Sequence, residues 1–175
     1  SISQSGKSPD IVDLTKTAGE GGALNIAITN VATSPLAQES AHTLDIQAGL
    51  EKSVAATKTF VTSIVAGLLL IAHWQRDDAL LAAIKKLPEQ AGLAVKVDWS
   101  ILCDHMKDKD DIFILGRGPA MAIANEAALK FKETCQIHAQ AFSSAEVMHG
   151  PKSIVDQGFT VLALASRDAS ESSVL

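Results

Sequence analysis

The sequence predicts an α/β protein, a parallel sheet with helices on both faces. Short apolar runs bounded by turn residues recur at 23–29 (ALNIAIT), 112–115 (IFIL) and 159–165 (FTVLALA), the pattern of buried strands. Segments with apolar residues at helical spacing separate these runs. The chain is 47% hydrophobic but only 4% aromatic, so Ala, Leu, Ile and Val must fill the core, and such small side chains let helices lie close on a sheet.

Each element follows from local pattern. Ile2 ends a strand that runs into a hydroxyl-rich turn. Residues 9–17 form a helix opened by Pro9, which suits a first turn, and stopped by Gly19, Gly21 and Gly22. Residues 23–29 are a strand, 35–40 a helical turn and 43–46 a second strand. A loop at 49–55 feeds a long apolar helix at about 54–75. Its core, FVTSIVAGLLLIAHW at 60–74, is shorter than the ~20 residues a membrane span needs, and Arg76, Asp77 and Asp78 follow it. It is therefore read as a helix buried in a domain or a subunit interface. Residues 78–91 form a helix with Leu80, Leu81, Ile84 and Leu87 on one side, and 99–106 a short one.

The alternation then restarts with a strand at 112–115, the tight turn Gly116-Arg117-Gly118-Pro119 and a helix at 120–134. Residues 137–151 (IHAQAFSSAEVMHGP) are polar yet carry Ala, Phe and Met, so they are ordered, though no strand is assigned there. A strand at 159–165 and a polar turn at 166–170 close the chain. The strand and turn at 2–8 correspond in place to those at 164–170. The chain thus reads as one period of a duplicated α/β unit cut out of phase: the back of one domain at 1–92 and the front of the next at 93–175. It is expected to be a piece of a longer protein.

Composition narrows the partners. A net charge of −5 and the lack of a Lys/Arg run argue against nucleic acid. Cys103 and Cys135 form no CxxC pair, which indicates neither a zinc site nor a disulfide framework, and points to reduced thiols in the cytoplasm. His42, His73, His105, His138 and His149 show no metal-ligand spacing.

Four places could carry chemistry. Ser3, Gln4, Ser5 and Ser8 surround Gly6 ahead of a helix N-terminus, which is either an anion site or a plain capping box. The GRGP turn lacks the third Gly (Met121 stands there) and the acidic residue of a dinucleotide fingerprint, so NAD is rejected; the turn either presents amides to a ligand or simply connects strand to helix. Glu126, Lys130 and Glu133 share one helix face, as a solvated stripe or as an acid–base set. His149 precedes Gly150-Pro151, which cannot continue a helix, and it serves structure or proton transfer.

Three segments together resemble the sugar isomerase (SIS) domain family: SQSGKSPD at 3–10, GLEKSVAATKTF at 49–60 and EAALKFKETCQIHAQAFSSAEVMHGP at 126–151. The last is similar to the isomerase half of glucosamine-6-phosphate synthases and to the SIS-type glucosamine-6-phosphate deaminases that lack a glutaminase domain. The resemblance implies a three-layer, flavodoxin-like αβα sandwich, a fragment of a tandem SIS protein that dimerises and binds a hexose or hexosamine phosphate without cofactor or metal. It implies that Ser3, Gln4, Ser5 and Ser8 bind the phosphate and that Val54 and Ala56 contact the sugar. It makes Glu133 the base that moves a proton between C1 and C2, Lys130 its helper, and His149 the ring-opening group, supplied by the partner subunit.

The family's first Gly- and Ser/Thr-rich turn would lie before Ser1 and its C-terminal Lys beyond Leu175, so this piece alone is expected to be inactive. Synthases typically carry an acidic residue and Thr where this chain has Lys7 and Ser8, and Ser where it has Ala56. Lys7-Ser8-Pro9-Asp10 resembles the deaminase branch. The expected activity is therefore conversion of glucosamine 6-phosphate to fructose 6-phosphate and ammonia. The alternatives are the isomerase half of a glutamine–fructose-6-phosphate aminotransferase, a deglycase of phosphorylated fructosamines, and a non-catalytic sugar-phosphate sensor.

Overall fold

Parallel pairing, the first expectation from sequence, holds in both halves of the chain. The computed structural model describes residues 1–174, and the chain divides into two units, Ser1–Val97 and Asp98–Leu175. Each is a parallel sheet flanked by helices.

In the first unit, β1 (Ile26–Thr29) pairs in parallel with β2 (His42–Asp45), Ala27 opposite Thr43 and Thr29 opposite Asp45. Ile2 adds a parallel bridge to Ile28, so β1 lies between two neighbours. Its residues Ala27, Ile28 and Thr29 are buried, as a central strand requires. Helix α1 (Pro9–Glu20) follows the hydroxyl turn, and α2 (Pro35–Gln38) is a single turn. Helix α3 (Lys58–Gln75) starts later than the sequence suggests, because residues 54–57 belong to the loop before it. No helix among the described residues is long and apolar enough to cross a membrane.

The helix expected over 78–91 is two helices, α4 (Asp78–Ile84) and α5 (Leu87–Ala94). Pro88 explains the break: it has no N–H to give to Ile84, and its ring crowds that carbonyl. The first unit ends at Val97, three residues beyond the end of α5 at Ala94.

The second unit opens with α6 (Ser100–Met106) and continues with β3 (Asp111–Gly116), α7 (Pro119–Lys130), β4 (His138–Ser143) and β5 (Thr160–Ala163). The strand order is β4-β3-β5, all parallel. One face of the sheet packs Ile112, Ile114 and Ala139 against Ala124 and Ala128 of α7. Phe113 meets Phe142 and Phe159 edge-on, each pair with ring centroids 4.8 Å apart. Strand β4 escaped the sequence reading because exposed His138 and Gln140 interrupt it: Ala139 alone is fully buried, and an apolar run never forms.

Candidate active site

The hydroxyl turn is strapped down through its backbone, which leaves its side chains free. Gly6 adopts φ +60°, and a Cβ there would lie 2.1 Å from Ser34 Oγ, so no other residue fits. Leu36 N donates to Gly6 O (3.0 Å), while Gln4 O accepts from Asn30 N (3.1 Å) and Thr29 Oγ1 (3.3 Å). Ser3 Oγ accepts from Gly6 N at 3.2 Å and Ser5 Oγ from Lys7 N at 3.3 Å, which leaves each hydroxyl proton available to a ligand. Ser8 is the N-cap of α1, yet its side chain makes no capping bond. Pro9 has no N–H, and among the described residues the amides of Asp10 and Ile11 find no acceptor in the chain. Half-buried hydroxyls and open amides at the end of a twelve-residue helix favour an anion.

The same sheet edge carries the loop of residues 49–57. Val54 is 95% exposed at its tip and Ala56 is half-buried. Glu51, which sequence reasoning passed over, holds this loop to α3: its Oε2 accepts from Thr59 N (2.9 Å) and Thr59 Oγ1 (3.2 Å). The bond from the Thr59 amide, with the hydroxyl and the nearby Lys58 ammonium adding to it, keeps the Glu51 carboxyl below the usual glutamate range. The spacing Glu-x7-Thr ahead of an apolar helix was the available signal.

In the second unit, α7 does not run to 134 as one α-helix. It passes into a π-helical turn, Phe131–Cys135, that carries Glu133; such turns recur at functional sites. Phe131 and Ile137 pack against the core and brace the turn, with Ile137 N donating to Phe131 O at 3.3 Å. Lys130 Nζ donates to Glu133 Oε2 at 2.6 Å and lies 3.3 Å from Glu126 Oε1. These side chains are 21%, 27% and 20% exposed, each partly covered by its partners while the cluster stays open to solvent. The hydrogen bond to Glu133 chiefly, and Glu126 next, raise the Lys130 pKa above the ordinary lysine value. The ammonium is thus held charged between two carboxylates, and Glu133 keeps an oxygen for proton transfer.

His149 ends the short 3-10 helix Glu146–His149 and is exposed. Glu133 precedes β4 and His149 follows it, so a strand of about 20 Å separates the edges they belong to. Among the described residues no hydrogen bond or ion pair joins His149 to Lys130 or Glu133. The unit brings Glu126, Lys130 and Glu133 together and leaves His149 apart.

The GRGP turn closes the first amides of α7 on its own carbonyls. Ala120 N donates to Arg117 O (3.2 Å) and Met121 N to Gly118 O (3.0 Å), and Gly118 takes φ +57°. The open amides of α1 have no counterpart at α7.

Comparison with known proteins shows the family. The profile of the SIS domain matches residues 1–73 and 105–175. Glutamine–fructose-6-phosphate aminotransferase (isomerizing) of Sulfolobus acidocaldarius is 37% identical over 164 residues, covering 93% of this chain and 28% of the relative. The enzyme of the same name from Pseudomonas aeruginosa is 39% identical over 176 residues, covering 94% and 29%. Among solved structures, a protein designated a phosphosugar isomerase from Silicibacter pomeroyi DSS-3 is 58% identical with a TM-score of 0.94, covering 99% of this chain and 53% of that one. The C-terminal domain of glucosamine-fructose-6-phosphate aminotransferase from Francisella tularensis is 33% identical with a TM-score of 0.86, covering 98% and 52%. The chain therefore spans less than a third of these curated relatives and about half of these solved chains. With the hydroxyl turn, the parallel sheets and a match over most of its length, this chain belongs to the SIS domain family.

Proposed function

We propose that the chain is part of an enzyme that moves a proton between C1 and C2 of a hexose 6-phosphate, as the isomerase half of a glutamine–fructose-6-phosphate aminotransferase does. The observation that carries this is the Lys130–Glu133 pair, 2.6 Å apart with Glu126 3.3 Å from the same ammonium, on and beside a π-helical turn. A sensor domain has no need of a carboxylate held by an ammonium on an irregular turn. The names of the relatives support the same chemistry.

The hydroxyl turn of the first unit takes the phosphate through Ser3, Gln4, Ser5, Ser8 and the open amides of α1, so a group remote from the reaction supplies the positioning energy. Val54 and Ala56 line the sugar. In the assembled enzyme, His149 of a second copy trades a proton with the ring oxygen to open the sugar. Ammonia displaces the C2 oxygen as water, Glu133 takes a proton from C1 of the resulting imine, and the same carboxyl returns it at C2. Lys130 stabilises the charge that develops in between.

In the full-length protein, Glu133→Gln is expected to lower turnover by at least about a thousandfold while leaving the affinity for fructose 6-phosphate within twofold. Turnover close to native would overturn the assignment of the base.

A second reading runs the same steps backwards, releasing ammonia from glucosamine 6-phosphate without glutamine. It is favoured by Lys7-Ser8-Pro9-Asp10, which resembles the deaminase branch, with Lys7 and Ser8 where synthases typically carry an acidic residue and Thr. Glutamine-dependent glucosamine 6-phosphate formation supports the first reading, and ammonia release without glutamine the second.

A further inference from the structure

The geometry points to Asn30 and Glu51 as positioning residues that set the separation between the phosphate turn and the sugar loop, and through it the length of sugar phosphate the site accepts. The inference rests on the proposed isomerase reading. Asn30 directly follows β1 and touches both segments at once. Its backbone N–H donates to Gln4 O in the hydroxyl turn at 3.1 Å. Its side chain spends both polar ends on the entry to the loop: Nδ2 donates to Gly49 O at 2.7 Å and Oδ1 accepts from Ala48 N at 2.9 Å.

That entry has no regular secondary structure to stiffen it. Gln47 at φ +49° and Gly49 at φ +68° both lie in the left-handed region, so the chain turns sharply within three residues. At the far end, Glu51 Oε2 takes the Thr59 amide and hydroxyl, and Lys58 Nζ donates to Leu50 O at 2.9 Å. The loop bearing Val54 and Ala56 is thereby tied at one end to the strand that supports the phosphate turn and at the other to the start of α3. In a hexose 6-phosphate the reacting C1 and C2 lie at the opposite end of the carbon chain from the phosphate. A fixed spacing between turn and loop therefore selects for carbon-chain length, and binding of phosphate alone does not depend on it.

Asn30→Asp tests this with little change of shape, because the carboxylate still accepts from Ala48 N but faces the Gly49 carbonyl without a proton to donate. Glu51→Ala releases the other end and leaves Asn30 intact. Each variant of the full-length protein is assayed with fructose 6-phosphate and with ribulose 5-phosphate, and competition by inorganic phosphate is measured alongside. The expected result is a fall of about tenfold in the kcat/KM preference for the hexose phosphate, carried mainly by KM, with phosphate competition within twofold of native. An unchanged preference in both variants, with only a lower melting temperature, would make the two residues merely structural and overturn the inference. A native protein that neither binds nor turns over hexose phosphate would instead overturn the proposed function itself.

Discussion

Gly6 is where a single atom matters most. A methyl group there must share space with Ser34 Oγ at 2.1 Å and Ser34 Cβ at 2.5 Å, and Ser34 is buried beneath the turn. Gly6→Ala is expected to cost about 1–3 kcal/mol, the usual range for overpacking joined to left-handed strain, read as a lower melting temperature together with weaker phosphate binding. Lys130 poses the opposite problem, since its ammonium is held by charge rather than by shape. A pKa raised on folding contributes stability that is complete below the ordinary lysine value and lost as pH climbs through the higher folded value. The pair should therefore persist across neutral pH and loosen only in strong alkali. Titration of the full-length protein should show this loosening, and Lys130→Met should abolish it.

At the scale of elements, proximity comes from small side chains. Ala124 and Ala128 of α7 are buried against Ile112, Ile114 and Ala139, with no slack for a larger residue. Ala124→Leu should destabilise by about 1–3 kcal/mol and, because α7 leads straight into the π-helical turn, should also lower kcat by displacing Glu133. The loop of residues 49–57 behaves differently, being tied at both ends by hydrogen bonds. A depressed Glu51 pKa makes its contribution complete above the ordinary glutamate value and lost as pH falls through the lower folded value. An acid-side rise in KM for the sugar phosphate, absent in Glu51→Gln, is the expected signature.

Across the whole chain, two units share one design and differ where chemistry is needed. In each, a parallel segment leads through a turn into a helix, Ile2 beside β1 into α1 and central β3 into α7; but α1 begins with unbonded amides at Asp10 and Ile11, while Ala120 and Met121 of α7 are bonded within their own turn. Inorganic phosphate should therefore shift the amide resonances of Asp10 and Ile11 and leave those of Ala120 and Met121 in place. Equal shifts at both turns would refute this asymmetry. Since the chain spans less than a third of the aminotransferases it resembles, residues 1–175 alone are expected to bind phosphate without turning over sugar.

Local pattern revealed what depends on neighbours in the chain. The parallel α/β alternation was legible because buried central strands such as β1 and β3 must be apolar, and the hydroxyl turn because Gly6 and Pro9 impose backbone conformations that few alternatives satisfy. The stripe of Glu126, Lys130 and Glu133 was legible from helical periodicity, but its two meanings were not separable, since exposure is a property of the packed unit. Strand β4 stayed hidden because exposed His138 and Gln140 interrupt it. The π-helical turn stayed hidden because one extra residue per turn leaves no compositional trace. Asn30 was invisible for a different reason: its partners in Gln4 and Gly49 become its neighbours only when the strands come together, whereas Glu51 left a local trace in its spacing to Thr59.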